Sequence, residues 1–181
     1  MTGREFINRA ARWLLSPWRK AKAQRYADPA ADTIQRKELP NEVLLPLVSQ
    51  YVAGGERVVI SVKGYSMRPF LEHLRDKVEL SPWTDVQVGD AVLAEIAAGH
   101  FVLHRVICRE GDHLTLKGDG NLRGVEHCTL ADVRGLVTKY IRPGGHVLLA
   151  SDPQLKRKIN LWRKLPYGVR RVYLFLYRQT V

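Results

Sequence analysis

Three short stretches of this chain carry side chains able to do chemistry. The first, Lys63-Gly64-Tyr65-Ser66-Met67-Arg68-Pro69, offers a hydroxyl. Gly64 allows a tight turn ahead of it, and Pro69 stiffens the exit. The second, Val102-Leu103-His104-Arg105-Val106-Ile107, sets one imidazole among apolar neighbours. The third, Leu116-Lys117-Gly118-Asp119-Gly120-Asn121, places a carboxylate in a glycine turn. A serine hydroxyl is a poor nucleophile at neutral pH and needs a base within hydrogen-bond reach. An imidazole can take that proton and return it to a leaving amine. A carboxylate beside the imidazole fixes its tautomer and stabilises the imidazolium. Singly, the three have plainer readings: a turn serine, a half-buried strand histidine and a simple turn. Acyl-transfer chemistry requires folding to gather all three.

The elements that would position them follow from periodicity. Residues 57–62, 77–80, 90–96, 100–107, 113–117 and 133–141 are rich in β-branched and alternating apolar residues, and turn residues separate them. This pattern predicts a mainly β, mostly antiparallel domain, a sandwich or partial barrel. A short helix is expected over residues 39–53. Asn41 is its cap, Val43, Leu44, Leu47, Val48 and Tyr51 form its apolar face, and Gly54-Gly55 ends it. Residues 3–25 have the spacing of an amphipathic helix, residues 26–37 read as a linker, and one or two helices are expected after Gly145. The expected organisation is a basic N-terminal extension and linker (1–37), a catalytic domain (38–150) and a basic, aromatic C-terminal helical extension (151–181).

Residues 57–142 resemble the catalytic core of the signal peptidase I superfamily, which also includes the self-cleaving SOS and phage repressors. Ser66-Met67-Arg68-Pro69, the Gly89-Asp90-Ala91-Val92 run and the Lys117-Gly118-Asp119-Gly120-Asn121 turn match that family's boxes. Bacterial signal peptidases and the repressors carry Lys at the place of His104. The archaeal and endoplasmic-reticulum enzymes carry His there, in a similar His-Arg-Val-Ile setting, so the chain is similar to the Ser-His branch. The resemblance implies an antiparallel β peptidase core with Ser66 as nucleophile, His104 as base and Asp119 as the partner of His104. It implies the Ser66 backbone N–H as one oxyanion donor. Gly64, Tyr65 and Met67 become substrate-binding or oxyanion positions, with Met67 packing beneath the nucleophile. Three departures accompany the match. The branch's second acid falls at Val125, which makes the adjacent Glu126 the candidate second acid. Gly64 stands where bacterial enzymes supply a serine hydroxyl, so a backbone N–H near Gly64 must replace it. Arg75-Asp76 stands where the family has Gly-Asp.

Charge and cysteine usage narrow the function classes. The formal net charge is +11. Residues 1–37 hold nine basic and three acidic residues, residues 38–150 hold twelve and fourteen, and residues 151–181 hold eight and one. A near-neutral middle between basic ends counts against a nucleic-acid partner, and residues 1–37 are too short for a helix-turn-helix domain. Trp13, Trp18, Trp162, Tyr173 and Phe175 among Arg and Lys suit an anionic membrane surface; the plainer reading packs these segments on the β core. No apolar run reaches the roughly 18–20 residues of a membrane span, and Arg4, Arg9 and Arg12 interrupt any secretory core. Cys108 and Cys128 read as half-buried hydrophobes rather than a disulfide framework, and no metal or cofactor is expected. The expected setting is cytoplasmic, peripheral on the inner membrane face. The expected function is a serine endopeptidase cleaving a leader or signal-like peptide. The alternative is a non-catalytic or self-cleaving member of the same fold, acting as a binding or regulatory module.

Overall fold

The structure is a computed structural model and describes residues 39–179. The expected helix over 3–25 and the linker after it lie outside these residues. Helix α1, Asn41–Ala53, begins after Pro40, whose carbonyl accepts from the Val43 and Leu44 N–H groups. Asn41 is therefore its first helical residue and not its cap, and no side chain caps this end. Gly54-Gly55 ends the helix as expected: Gly55 has φ +95°, and both N–H groups return to carbonyls of the last turn. Only part of the expected apolar face is covered. Val48 is buried and Leu44 half-buried, while Val43, Leu47 and Tyr51 are exposed; Val52, outside that face, is also buried.

Eight strands follow: β1 (Val58–Ser61), β2 (Lys77–Ser81), β3 (Ala91–Ala97), β4 (His100–Glu110), β5 (His113–Lys117), β6 (Glu126–Thr129), β7 (Val133–Arg142) and β8 (His146–Leu149). They form a single antiparallel sheet in the order β1-β2-β7-β3-β4-β5-β6, with β8 also on β7. The structure is thus mainly antiparallel β, as the alternation predicted. β6 and β8 were not expected; each has only four residues, too few for periodicity to show. Side-chain alternation sends successive residues to opposite faces. Val92 and Leu93 on β3 accordingly enter separate apolar clusters. One cluster holds Val92, Val106, Leu114 and Leu116, between the strands themselves. The other holds Leu93, Phe70, Leu71 and Tyr140, beneath the helices. Cys128 is buried in the first cluster, and burial pushes its thiol up to about 11, whereas Cys108 is exposed rather than half-buried.

Two further helices, α2 (Pro153–Lys164) and α3 (Tyr167–Tyr177), complete the described chain. Asp152 caps α2 by accepting from the Gln154 and Leu155 N–H groups. Leu155, Ile159 and Trp162 from α2, with Tyr173, Leu174 and Tyr177 from α3, belong to the larger apolar cluster. Trp162 is fully buried and makes edge contacts with Phe70 and Tyr173. The C-terminal segment therefore packs on the sheet as part of its core. Trp162 and Tyr173 face that core and not a lipid surface; only Phe175 of the expected C-terminal aromatics is exposed. Trp13 and Trp18 lie outside the described residues. No described helix is long and apolar enough to cross a membrane.

Candidate active site

β4 carries His104 and Arg105 in succession, so the two side chains leave opposite faces of the sheet. Register then decides which acid each one meets. Leu116 on β5 lies opposite both Val106 on β4 and Glu126 on β6. Val106, Leu116 and Glu126 therefore share a face, and His104, two residues from Val106, shares it too. Across this face His104 Nδ1 meets Glu126 Oε2 at 2.8 Å. The imidazole is 6% exposed, so the carboxylate holds it in a largely water-free place. With Nδ1–H donating to Glu126, Nε2 is left with the lone pair that a general base needs.

Asp119 belongs to the other face. Arg105 lies opposite Lys117 at the end of β5, and Asp119 follows Lys117 by two residues. Arg105 Nε donates to Asp119 Oδ1 at 2.8 Å and Nη2 donates to Oδ2 at 2.5 Å. Arg105 Nη1 donates to the Gly89 carbonyl at 2.8 Å. Both side chains are buried. Burial works against the Arg105 cation, but the Asp119 carboxylate outweighs it and holds the guanidinium above its ordinary range. The expected pairing of Asp119 with His104 is thus replaced by two pairs: Asp119 with Arg105, and Glu126 with His104. Sequence reasoning passed over Arg105. A charged residue in an apolar strand calls for a buried partner, and strand alternation says that this partner cannot also serve residue 104.

Ser66 sits in a loop pinned at several points. Met67, Phe70 and Leu71 are buried in the larger cluster, so Met67 lies in the core immediately after the serine as expected. Arg68 forms an ion pair with Glu72 at 2.6 Å, and Asp76 accepts from the Glu72 N–H at 2.8 Å. Arg68 also lies over the ring of Tyr65, 4.2 Å from its centroid, and Tyr65 itself is exposed. Burial pushes the Glu72 carboxyl up, but hydrogen bonds from Arg68 and the His73 N–H, together with the Arg68 and Arg75 charges, more than offset this and hold it below the usual range.

The loop meets the strand that follows His104 through glycines. The Gly120 N–H donates to the Ser66 carbonyl at 2.7 Å. A Cβ at Gly118 would stand 2.5 Å from that same oxygen. Only glycine allows the Ser66 backbone so close to the end of β5. Ser66 is half-buried and lines a groove of about 430 Å³ with Gly120, Asn121, Arg171, Leu174 and Phe175. His104 and Glu126 do not line this groove. Among the described residues, no hydrogen bond joins Ser66 Oγ to His104.

Gly64, with φ +97°, donates its N–H to His73 Nδ1 at 2.9 Å. A backbone N–H near Gly64 was the expected replacement for a missing oxyanion donor, and the Gly64 N–H itself is already engaged. Helices α2 and α3 brace the turn from behind. Trp162 Nε1 and Arg170 Nη2 both donate to the Asp119 carbonyl, at 2.8 and 2.9 Å. No protein-family model matches the chain, and no curated protein matches it.

Proposed function

We propose that this chain is a serine endopeptidase of the signal-peptidase type, in which Ser66 is the nucleophile, His104 the base and Glu126 the acid that orients it. The observation that carries this reading is the 2.8 Å contact between His104 Nδ1 and Glu126, with the Ser66 carbonyl packed against Gly118, two residues beyond the Leu116 that pairs with Glu126. The sheet with its helices serves as a peptidase core of the sandwich or partial-barrel kind that the resemblance implies. Substrate binding draws Ser66 Oγ and His104 Nε2 into hydrogen-bond range, since catalytic contacts commonly tighten only in the loaded enzyme. Ser66 Oγ then attacks the scissile carbonyl as its proton passes to Nε2. Glu126 balances the imidazolium. Collapse of the tetrahedral species breaks the C–N bond, and Nε2 gives its proton to the departing amine. A water molecule, deprotonated by the same nitrogen, hydrolyses the Ser66 ester. The Ser66 N–H supplies an oxyanion donor, a contribution of about 3 kcal/mol in comparable sites.

The test is cleavage of a leader-peptide library by the full chain. Ser66→Ala and His104→Ala are each expected to lower turnover by at least about a thousandfold while circular dichroism stays unchanged. Undiminished cleavage in both variants removes the proposal. The engagement of Gly64 N–H by His73 favours a second reading, a self-acting or binding member of the same fold, because one candidate oxyanion donor is committed elsewhere. Intact mass after long incubation separates the two. A single cut in the wild type and none in Ser66→Ala, without turnover of added peptides, identifies self-cleavage.

A further inference from the structure

Beyond the Gly118–Asn121 turn lies a second concavity of about 430 Å³. Four cations line it from three elements: Lys117 at the end of β5, Arg163 and Lys164 in the last turn of α2, and Arg170 in the first turn of α3. Its one carboxylate is Asp119, whose two oxygens are both taken by Arg105. The four cations have no acidic partner among the described residues. Arg163 Nη2 donates to the Ile107 carbonyl at 3.0 Å, and Arg170 Nη2 to the Asp119 carbonyl at 2.9 Å. Lys117 Nζ reaches only the Leu122 carbonyl, at 3.4 Å. Arg170 Nε is buried with no hydrogen-bond partner. Burial lowers the Arg163 and Arg170 guanidiniums below their ordinary range, with Arg105 repulsion adding to the effect at Arg163. Asp119, already paired with Arg105, offsets only part of the Arg163 and Arg170 charge. The remaining positive charge favours a multiply charged anion with several acceptor oxygens, which guanidinium forks grip through paired N–H donors.

We propose that this concavity is a binding site for a phosphate-type oxyanion, held by Arg163, Lys164, Arg170 and Lys117. The space, about 430 Å³, accommodates a single phosphate-bearing group. The group comes either from a soluble phosphate compound or from a lipid headgroup, and the chemistry of capture is the same. The site is independent of the peptidase reading, because neither Ser66 nor His104 lines it.

Titration of the full chain with pyrophosphate at fixed ionic strength, followed by calorimetry and ³¹P NMR, is expected to show one saturable site. Arg163→Gln is expected to raise the dissociation constant about tenfold or more. Lys164→Glu, at an exposed position that folding does not need, is expected to do the same. Arg157→Gln, exposed elsewhere on α2, leaves it unchanged. Absence of saturable binding, or equal affinity in wild type and Lys164→Glu, overturns the proposal. Sedimentation with phosphatidylglycerol vesicles, with phosphatidylcholine as reference, then distinguishes the sources. Residues 1–37 hold nine basic residues, so vesicle binding points to the headgroup only where Lys164→Glu weakens it and pyrophosphate competes. Pyrophosphate binding with vesicle binding unaffected by either points to a soluble ligand.

Discussion

Glu126 and Asp119 make opposite predictions although both are acids near one strand. Glu126 is bound to His104 and is partly exposed, so Glu126→Gln leaves the fold intact and disturbs the imidazole. Expected is a loss of about a hundredfold or more in kcat with little change in Tm, checked by peptide kinetics beside thermal melting. Asp119 neutralises a fully buried guanidinium. Asp119→Ala strands that charge and is expected to cost about 3–5 kcal/mol, measured by denaturant unfolding. Were Asp119 instead the partner of His104, the two outcomes would exchange places. Gly118 is a third test at this scale. A methyl there meets the Ser66 carbonyl at 2.5 Å, a backbone atom with no freedom to rotate away. Gly118→Ala is expected to destabilise by about 1–3 kcal/mol and to lower kcat by displacing the serine, read by paired melts and kinetics.

The Ser66 loop has a pH dependence of its own. Its central tie is the Arg68–Glu72 ion pair, and the Glu72 carboxyl titrates below its ordinary value in the folded chain. A lowered folded-state value means that the ionised carboxylate stabilises the native state. That contribution is complete above the ordinary glutamate value of about 4.3 and is lost as acid carries the pH through the lowered folded value. The expected result is a Tm that falls as pH drops from about 5 toward 3, with a shallower slope in Glu72→Gln. Equal slopes in the two proteins would show that the loop draws no stability from this pair. The β5–β6 pairing is a second element with functional weight, because its register alone brings Glu126 to the face of His104.

At the scale of the whole molecule, the C-terminal helices are structural members rather than detachable arms. They place Leu155, Ile159, Trp162, Tyr173, Leu174 and Tyr177 in the main cluster, and Trp162 and Arg170 hold the Asp119 carbonyl. A chain cut after Ser151 is expected to expose this cluster and lose cooperative unfolding. Trp162→Ala within the full chain is expected to cost about 3–5 kcal/mol by denaturant titration. A truncated chain that melts as sharply as the full one would show that the sheet folds without them.

Much of this architecture was legible from neighbours along the chain. Alternating β-branched runs located six of the eight strands, and Gly54-Gly55 marked the end of α1, because strand and turn preferences are set by residues a few positions apart. The same local evidence picked out Ser66, His104 and Asp119 as candidates, and only the family resemblance added Glu126. It could not tell which carboxylate faces the imidazole, since Asp119 and Glu126 are separated by inter-strand register and not by chain distance. Nor could it tell whether the aromatic, basic C-terminal helices cover the sheet or some other surface, since an amphipathic face states that it will be buried but not against what. Register and packing partners are settled only when every strand buries its apolar side at once. That collective condition turned His104 toward Glu126, gave Asp119 to Arg105 and gathered four cations behind the turn.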